Sequence, residues 1–363
     1  ARGNGSSPAA GAGSAAAAPC VDVGDGAGPL PVHRDLDVVV SPRFRLAFVR
    51  ILKSASRTWL EYLHRLGPVV ETTLLATLAN ASLPRLFYFA FVREPARRFF
   101  AGYEEAAFIQ YRFPVDAARG RCPERPRHWP GAAYQPGASR QLCDFHAQQL
   151  RHTGYGAVPL SLDVAVARRR FQLYVRHQAR SSGVGVPMAE DHTWSQTSFL
   201  LGALPPSGEA WAPDFVGRLE RILEDADELV GLAAARLPRR RGGRLRTAHV
   251  RLRPMLDPAV RASPEFASAA KPVHRSAAFY LEAVAASRSV CEDFCAMVLQ
   301  DTVCLGYALP EVCARCASGG PSPPALAPGW ARRYRRGNCD FFRRTGAWGG
   351  ARQEAWWCDG AAE

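Results

Sequence analysis

Two short apolar runs, each delivering the chain into a loop with a basic residue and then into a helix, constrain this sequence most. The first is Phe44-Arg-Leu-Ala-Phe-Val-Arg-Ile51, short and rich in β-formers, which reads as a buried strand. A turn of small residues follows from Lys53 to Ser56. In Thr58–Leu66, Trp59, Tyr62, Leu63 and Leu66 then fall at helical spacing. The second run, Leu86-Phe-Tyr-Phe-Ala-Phe-Val92, passes through Arg93-Glu-Pro95 into a helix expected from about Ala96 to Gln110. Pro95 suits the first turn of that helix, where its missing N–H costs nothing. Strand, phosphate-sized loop and helix is the geometry of an anion site at a helix N-terminus. Parallel strands set both loops along one carboxyl edge, the usual ligand crevice of an α/β sheet.

The cations differ in kind. Lys53 and Lys271 are the only lysines among 46 basic residues. Lysine is a compact point charge on a flexible stem, whereas arginine is a rigid planar fork. Lys53 can therefore reach a phosphate while Ser54, Ser56 and Thr58 offer hydroxyls beside backbone N–H groups. Arg93, at the mouth of the second strand, can grip another phosphate in a forked, charge-assisted contact. Two separated phosphate sites suggest a nucleotide phosphorylated at both ends of its ribose. A phosphate-loop kinase is disfavoured, because Gly-x-x-x-x-Gly-Lys-Ser/Thr is missing and Lys53 precedes its small-residue loop.

A net charge of +13 predicts attraction to polyanions: nucleic acid, anionic membrane or acidic glycan. Zinc-finger spacing, an RNA-binding aromatic signature and a heptad-bearing basic region are all lacking, so nucleic acid is not expected as a partner. The arginine runs at 168–170 and 239–241 read as solvated faces or loops. Ten cysteines, an even count placed mostly late, point to disulfides in an oxidising lumen with no assignable pairing. The rival is zinc, through Cys313-Ala-Arg-Cys316 with Cys339 and Cys358, but the intervals do not match a ribbon or finger. No apolar run reaches the roughly 18 residues of a membrane span.

The expected organisation is a flexible Gly/Ala/Ser-rich stem over 1–36, a body over 37–312, and a disulfide-stapled Cys/Trp-rich tail over 313–363. Within the body, 112–140 reads as a surface loop, and helices are expected at Gln141–His152 and Leu160–Gln178 before a Gly/Pro break at 182–187. Phe215–Leu223 reads as a strand passing into an acidic helix that ends near Ala235. Residues 236–275 read as irregular and basic, and one long helix is expected from Ser276 to Gln300.

The chain resembles the sulfotransferases that use 3′-phosphoadenosine-5′-phosphosulfate, in particular the Golgi carbohydrate group. Leu52-Lys-Ser-Ala-Ser-Arg-Thr-Trp59 is similar to that family's 5′-phosphosulfate loop, and Phe91-Val-Arg-Glu-Pro-Ala-Arg-Arg-Phe-Phe-Ala-Gly-Tyr103 to its 3′-phosphate element. Glu190-Asp-His-Thr-Trp-Ser-Gln196, Asp214-Phe-Val-Gly-Arg-Leu-Glu220 and the stretch from Cys291 through Tyr307-Ala-Leu-Pro310 resemble three further segments, in order. Arg57 departs from the pattern by replacing a threonine, and Ala101 by replacing a serine. Leu52 and Ser195 each stand where the pattern has proline. The resemblance implies an α/β fold with a P-loop-like central parallel sheet flanked by helices, and a Cys-rich C-terminal tail.

It also implies 3′-phosphoadenosine-5′-phosphosulfate as co-substrate, no metal, and a glycan acceptor, an acidic polysaccharide or glycoprotein. The implied location is the Golgi lumen, as a type II membrane protein whose anchor precedes residue 1. Lys53, Ser54, Ala55, Ser56, Arg57, Thr58 and Arg93 would hold the donor, with Lys53 neutralising charge on the leaving oxygens. A general base is needed for the acceptor hydroxyl; Glu71 is the first choice, with His192 and His64 as competitors. Lys271 could close over the nucleotide, but a loop lysine in solvent is the favoured account. The departures keep open an alternative, a catalytically silent protein of this fold that binds acidic glycans.

Overall fold

The computed structural model describes residues 37–80, 85–112, 161–181, 196–201, 213–261 and 275–317, with Val158 and Thr193. The stem, the helix at 141–152, the break at 182–187, His192, Lys271, Cys339 and Cys358 lie outside the described residues, as does the loop at 112–140 beyond its first residue.

Five strands form one sheet. They are β1 (Asp37–Ser41), β2 (Leu46–Val49), β3 (Val70–Thr73), β4 (Phe87–Val92) and β5 (Phe215–Arg218), in the order β3-β1-β2-β4-β5. β2, β4 and β5 run parallel, while β1 is antiparallel to both β2 and β3. The fold is therefore α/β with a parallel centre, and an antiparallel pair extends it at one side. Along β2, Leu46 and Phe48 enter one core and Ala47 and Val49 the other. A strand buried on both faces has no polar alternation, which is why it reads as a continuous apolar run.

The helices are α1 (Ser56–Leu66), α2 (Leu74–Ala79), α3 (Pro95–Arg112), α4 (Val164–Ser181), α5 (Gln196–Leu201), α6 (Ile222–Ala235), α7 (Arg239–Leu252), α8 (Pro258–Arg261), α9 (Ala277–Ala285), α10 (Arg288–Cys304) and α11 (Glu311–Ala317). On one face of the sheet Trp59, Tyr62 and Leu63 of α1 join Leu229 and Val230 of α6 and Leu245 of α7 over Phe48, Phe89 and Phe91. A second cluster gathers Phe99, Phe100 and Tyr103 of α3 with Phe171 and Tyr174 of α4, Tyr280 of α9 and Phe294 of α10.

Two expectations are corrected. Residues 239–252, expected to be irregular, are helical, followed by a 3-10 turn at Arg253–Leu256. Arginine is a good helix former. The glycine that looks like a breaker is a packing device: a Cβ on Gly242 would stand 2.5 Å from the Ala234 carbonyl oxygen. The expected single helix over 276–300 is two. Ser276 caps α9 by accepting from Phe279 N, and after a break at Ala286–Ser287 the Ser287 carbonyl starts α10 by accepting from Cys291 N.

Disulfides join Cys291 to Cys316 and Cys295 to Cys313, tying α11 against α10. Cysteines four apart on one helix and three apart on the next share facing sides. This pairing takes Cys313 and Cys316 out of the zinc arrangement considered from the spacing.

Candidate functional site: two loops joined at one sheet edge

At the carboxyl end of β2 the chain turns through residues 50–55 into α1. Lys53 and Ala55 both take left-handed conformations, at φ 66 and 61. Such a conformation costs a non-glycine residue on the order of 1–2 kcal/mol, so surrounding contacts must hold it. Ser54 N donates to Ile51 O at 3.2 Å, and Trp59 N donates to Ala55 O at 3.0 Å. From α3, the buried Arg98 sends its Nε to Leu52 O at 2.9 Å. Trp59, stacked on Phe91 at 4.6 Å, fixes α1 over the sheet. Alternating conformations of this kind line up backbone N–H groups as a concave anion site.

The second loop follows β4. Glu94 caps α3, its carboxylate accepting from Ala96 N at 3.0 Å and Arg97 N at 2.7 Å. Gln196, at the start of α5, joins the two loops. Its Oε1 accepts from Ser54 Oγ at 3.0 Å and from Arg93 N at 2.8 Å, and its Nε2 donates to Arg93 O at 2.7 Å. Asp301 of α10 accepts from Gln196 N at 2.8 Å. Ser54 and Gln196 are fully buried. The two loops are one site.

Charge is concentrated there. Lys53 Nζ lies 2.6 Å from Glu105 Oε2, a carboxylate of α3 whose side chain is only 10% exposed. Arg57 Nη2 stands 3.8 Å from the other oxygen of Glu105 and is largely in solvent. Burial pushes the Arg93 guanidinium below its ordinary pKa, against the opposing pull of Glu220. Glu220 accepts from Glu94 N at 2.7 Å and from Tyr307 Oη at 3.0 Å. Arg218 stacks over the Tyr307 ring at 4.7 Å and donates to Leu305 O at 2.7 Å. Lys53 and the amino end of α1 can hold a dianion at the first loop and stabilise negative charge that grows during a transfer. At the second loop the N–H groups of Arg93, Glu94, Ala96 and Arg97 are held by Gln196, Glu220 and Glu94, and the Arg93 guanidinium is the cation.

The model of the sulfotransferase family matches residues 36–249, more than half of the chain. The chain belongs to the sulfotransferase family. Its chemistry is thus sulfuryl transfer, and it is a transferase. No curated protein and no solved structure matches it.

In this sulfotransferase the expected donor residues Lys53, Ser54 and Ala55 lie in the first loop and Ser56, Arg57 and Thr58 in the first turn of α1, with Ser54 and Thr58 buried and Arg57 exposed. Ser54's hydroxyl is spent on Gln196. Glu71 lies on the edge strand β3, opposite Val39, its half-exposed carboxylate 3.4 Å from Arg50 Nη1. His64 is exposed in the last turn of α1, about 12 Å along the helix axis from Ser56. Glu104 accepts from Tyr280 Oη at 3.1 Å.

Sequence reasoning missed Glu105, Arg98 and Asp301 as parts of the site. A signal existed: Arg98 and Glu105 are seven residues apart, on one face of a helix that also carries Phe99, Phe100 and Tyr103. Buried charges in such a setting are paired or functional.

Proposed function

We propose that this sulfotransferase moves the sulfuryl group of 3′-phosphoadenosine-5′-phosphosulfate to a hydroxyl of a glycan. The observation that supports this reading is the Gln196 bridge, whose amide oxygen accepts from both the Lys53 loop and the Arg93 loop. Phosphates at the two ends of one ribose match two cationic loops on one edge. The Lys53 loop takes the 5′-phosphosulfate and the Arg93 loop takes the 3′-phosphate.

The acceptor oxygen attacks sulfur in line. Its bond to sulfur forms as the bond from sulfur to the bridging oxygen of the 5′-phosphate breaks, and adenosine 3′,5′-bisphosphate leaves. Lys53 neutralises the charge that grows on that bridging oxygen. Glu105 holds Lys53 in place before the donor arrives and shares it afterwards. The acceptor's proton passes to a base at the same edge. Glu71, on β3, is the candidate, with His192 the alternative. The positive net charge suits an acidic polysaccharide or glycoprotein acceptor, and the paired cysteines suit an oxidising Golgi lumen.

Radiolabelled donor offered to a glycan panel tests the reading. Transfer by the wild type and none by Lys53→Ala, with the variant still folded, supports it. Bisphosphate failing to compete where ATP does would instead favour a kinase. No bisphosphate binding alongside retention on heparin would favour the silent glycan binder.

A further inference from the structure

Helix α7 carries more positive charge than its fold requires. Its fourteen residues include six arginines and no acidic residue. Among the described residues none of Arg239, Arg240, Arg241, Arg244, Arg246 and Arg251 makes an ion pair. The buried side is complete without them: Gly242 packs on Ala234, and Leu245 and His249 are buried against α6 and α1. At about 100° per residue, Arg240, Arg244, Thr247 and Arg251 fall within roughly 60° of one another, directly opposite that buried stripe. They extend about 16 Å along the axis.

The placement works against the helix. Three arginines occupy the first turn, where the helix dipole disfavours cations, and Arg240 repels Arg244 one turn away. A polyanion lying along the stripe relieves both. Only the buried side of α7 meets the phosphate-loop helix, through His249 Nδ1 and Tyr62 Oη at 2.8 Å, so the stripe on the opposite side is turned to solvent.

We propose that the Arg240–Arg244–Arg251 face of α7 is a docking surface for an acidic polysaccharide, the acceptor chain held outside the reacting centre. The proposal rests on the glycan-acceptor reading above and names the surface that selects acidic chains. An anionic bilayer fits less well. The apolar side of α7 is spent on the core, and Val250 is its one exposed large hydrophobic, so no apolar face remains to enter lipid.

The test compares Arg240→Gln/Arg244→Gln/Arg251→Gln with a control of equal charge change on other exposed arginines, Arg65→Gln/Arg85→Gln/Arg169→Gln. Heparin is the probe, neutral dextran the blank, and phosphatidylserine vesicles the competing surface. The α7 variant is expected to lose at least about tenfold in heparin affinity with a shallower salt dependence, while the control stays near wild type. Its melting temperature should be no lower than wild type, since removing like charges relieves repulsion. Its affinity for adenosine 3′,5′-bisphosphate should be unchanged. Undiminished heparin binding, an equal loss in the control, or tighter binding to the vesicles than to heparin each overturns the proposal. If the wild type itself does not bind the bisphosphate, the donor reading fails, and the heparin comparison still decides the stripe.

Discussion

Lys53 and Ala55 both sit at positive φ without being glycine, and the difference between them separates strain from function. Ala55→Gly removes steric cost at a residue whose side chain is a single methyl packed against the core, and the gain is partly offset by that lost contact and a more flexible unfolded chain. A net stabilisation of about 0.5–1 kcal/mol is expected, read as a raised midpoint in urea. Lys53→Ala should abolish transfer and lower that midpoint, because Glu105 loses its close partner in a largely buried pair, while the protein stays folded. Glu105→Gln divides the kinetics. Removing a negative charge beside the donor loop should lower the donor KM, while the loosened Lys53 lowers kcat by about tenfold or more. A fall in kcat with no change in KM would mean that Glu105 does not face the donor.

At the scale of elements, α1, α6 and α7 meet in one polar chain: Tyr62 beside His249, His249 Nε2 2.8 Å from Asp227, and Arg253 Nε 2.8 Å from the same carboxylate. The Arg253 hydrogen bond, with help from His249, holds Asp227 below the usual carboxylate range. A depressed carboxylate stabilises the fold above its unfolded pKa, and that contribution is lost as pH falls through the folded value. Asp227→Asn should therefore flatten the acid side of a pH–stability profile, modestly because the group is half-exposed. Gly242→Ala should destabilise by about 1–3 kcal/mol, because the new Cβ meets a carbonyl oxygen rather than a movable side chain. The elements most legible in the sequence were those with one period and one environment. β4 is fully apolar because both faces are buried, and α1 announces its buried stripe through Trp59, Tyr62, Leu63 and Leu66. Helix α7 is not legible in a basic stretch with two adjacent glycines, and only the approach to Ala234 shows what Gly242 is for. The Gln196–Asp301 contact spans 105 residues and leaves no local pattern at either end.

Across the whole molecule, the disulfides and the site share α10. That helix carries Cys291 and Cys295 on one side of the fold and sends Asp301 to Gln196. The closed loops of 25 and 18 residues are each worth about 3 kcal/mol in the chain-entropy picture. Reduction should lower the melting temperature and weaken bisphosphate binding together; a lower melting temperature with intact binding would separate the staple from the site. The deciding measurement is calorimetric titration of adenosine 3′,5′-bisphosphate, adenosine 5′-monophosphate and adenosine 3′-monophosphate into wild type, Lys53→Ala and Arg93→Ala. If one doubly phosphorylated adenosine spans the two loops, Arg93→Ala weakens only the ligands carrying a 3′-phosphate, and Lys53→Ala only those carrying a 5′-phosphate. Equal losses for all three ligands in both variants, or wild-type binding that ignores the second phosphate, would contradict it.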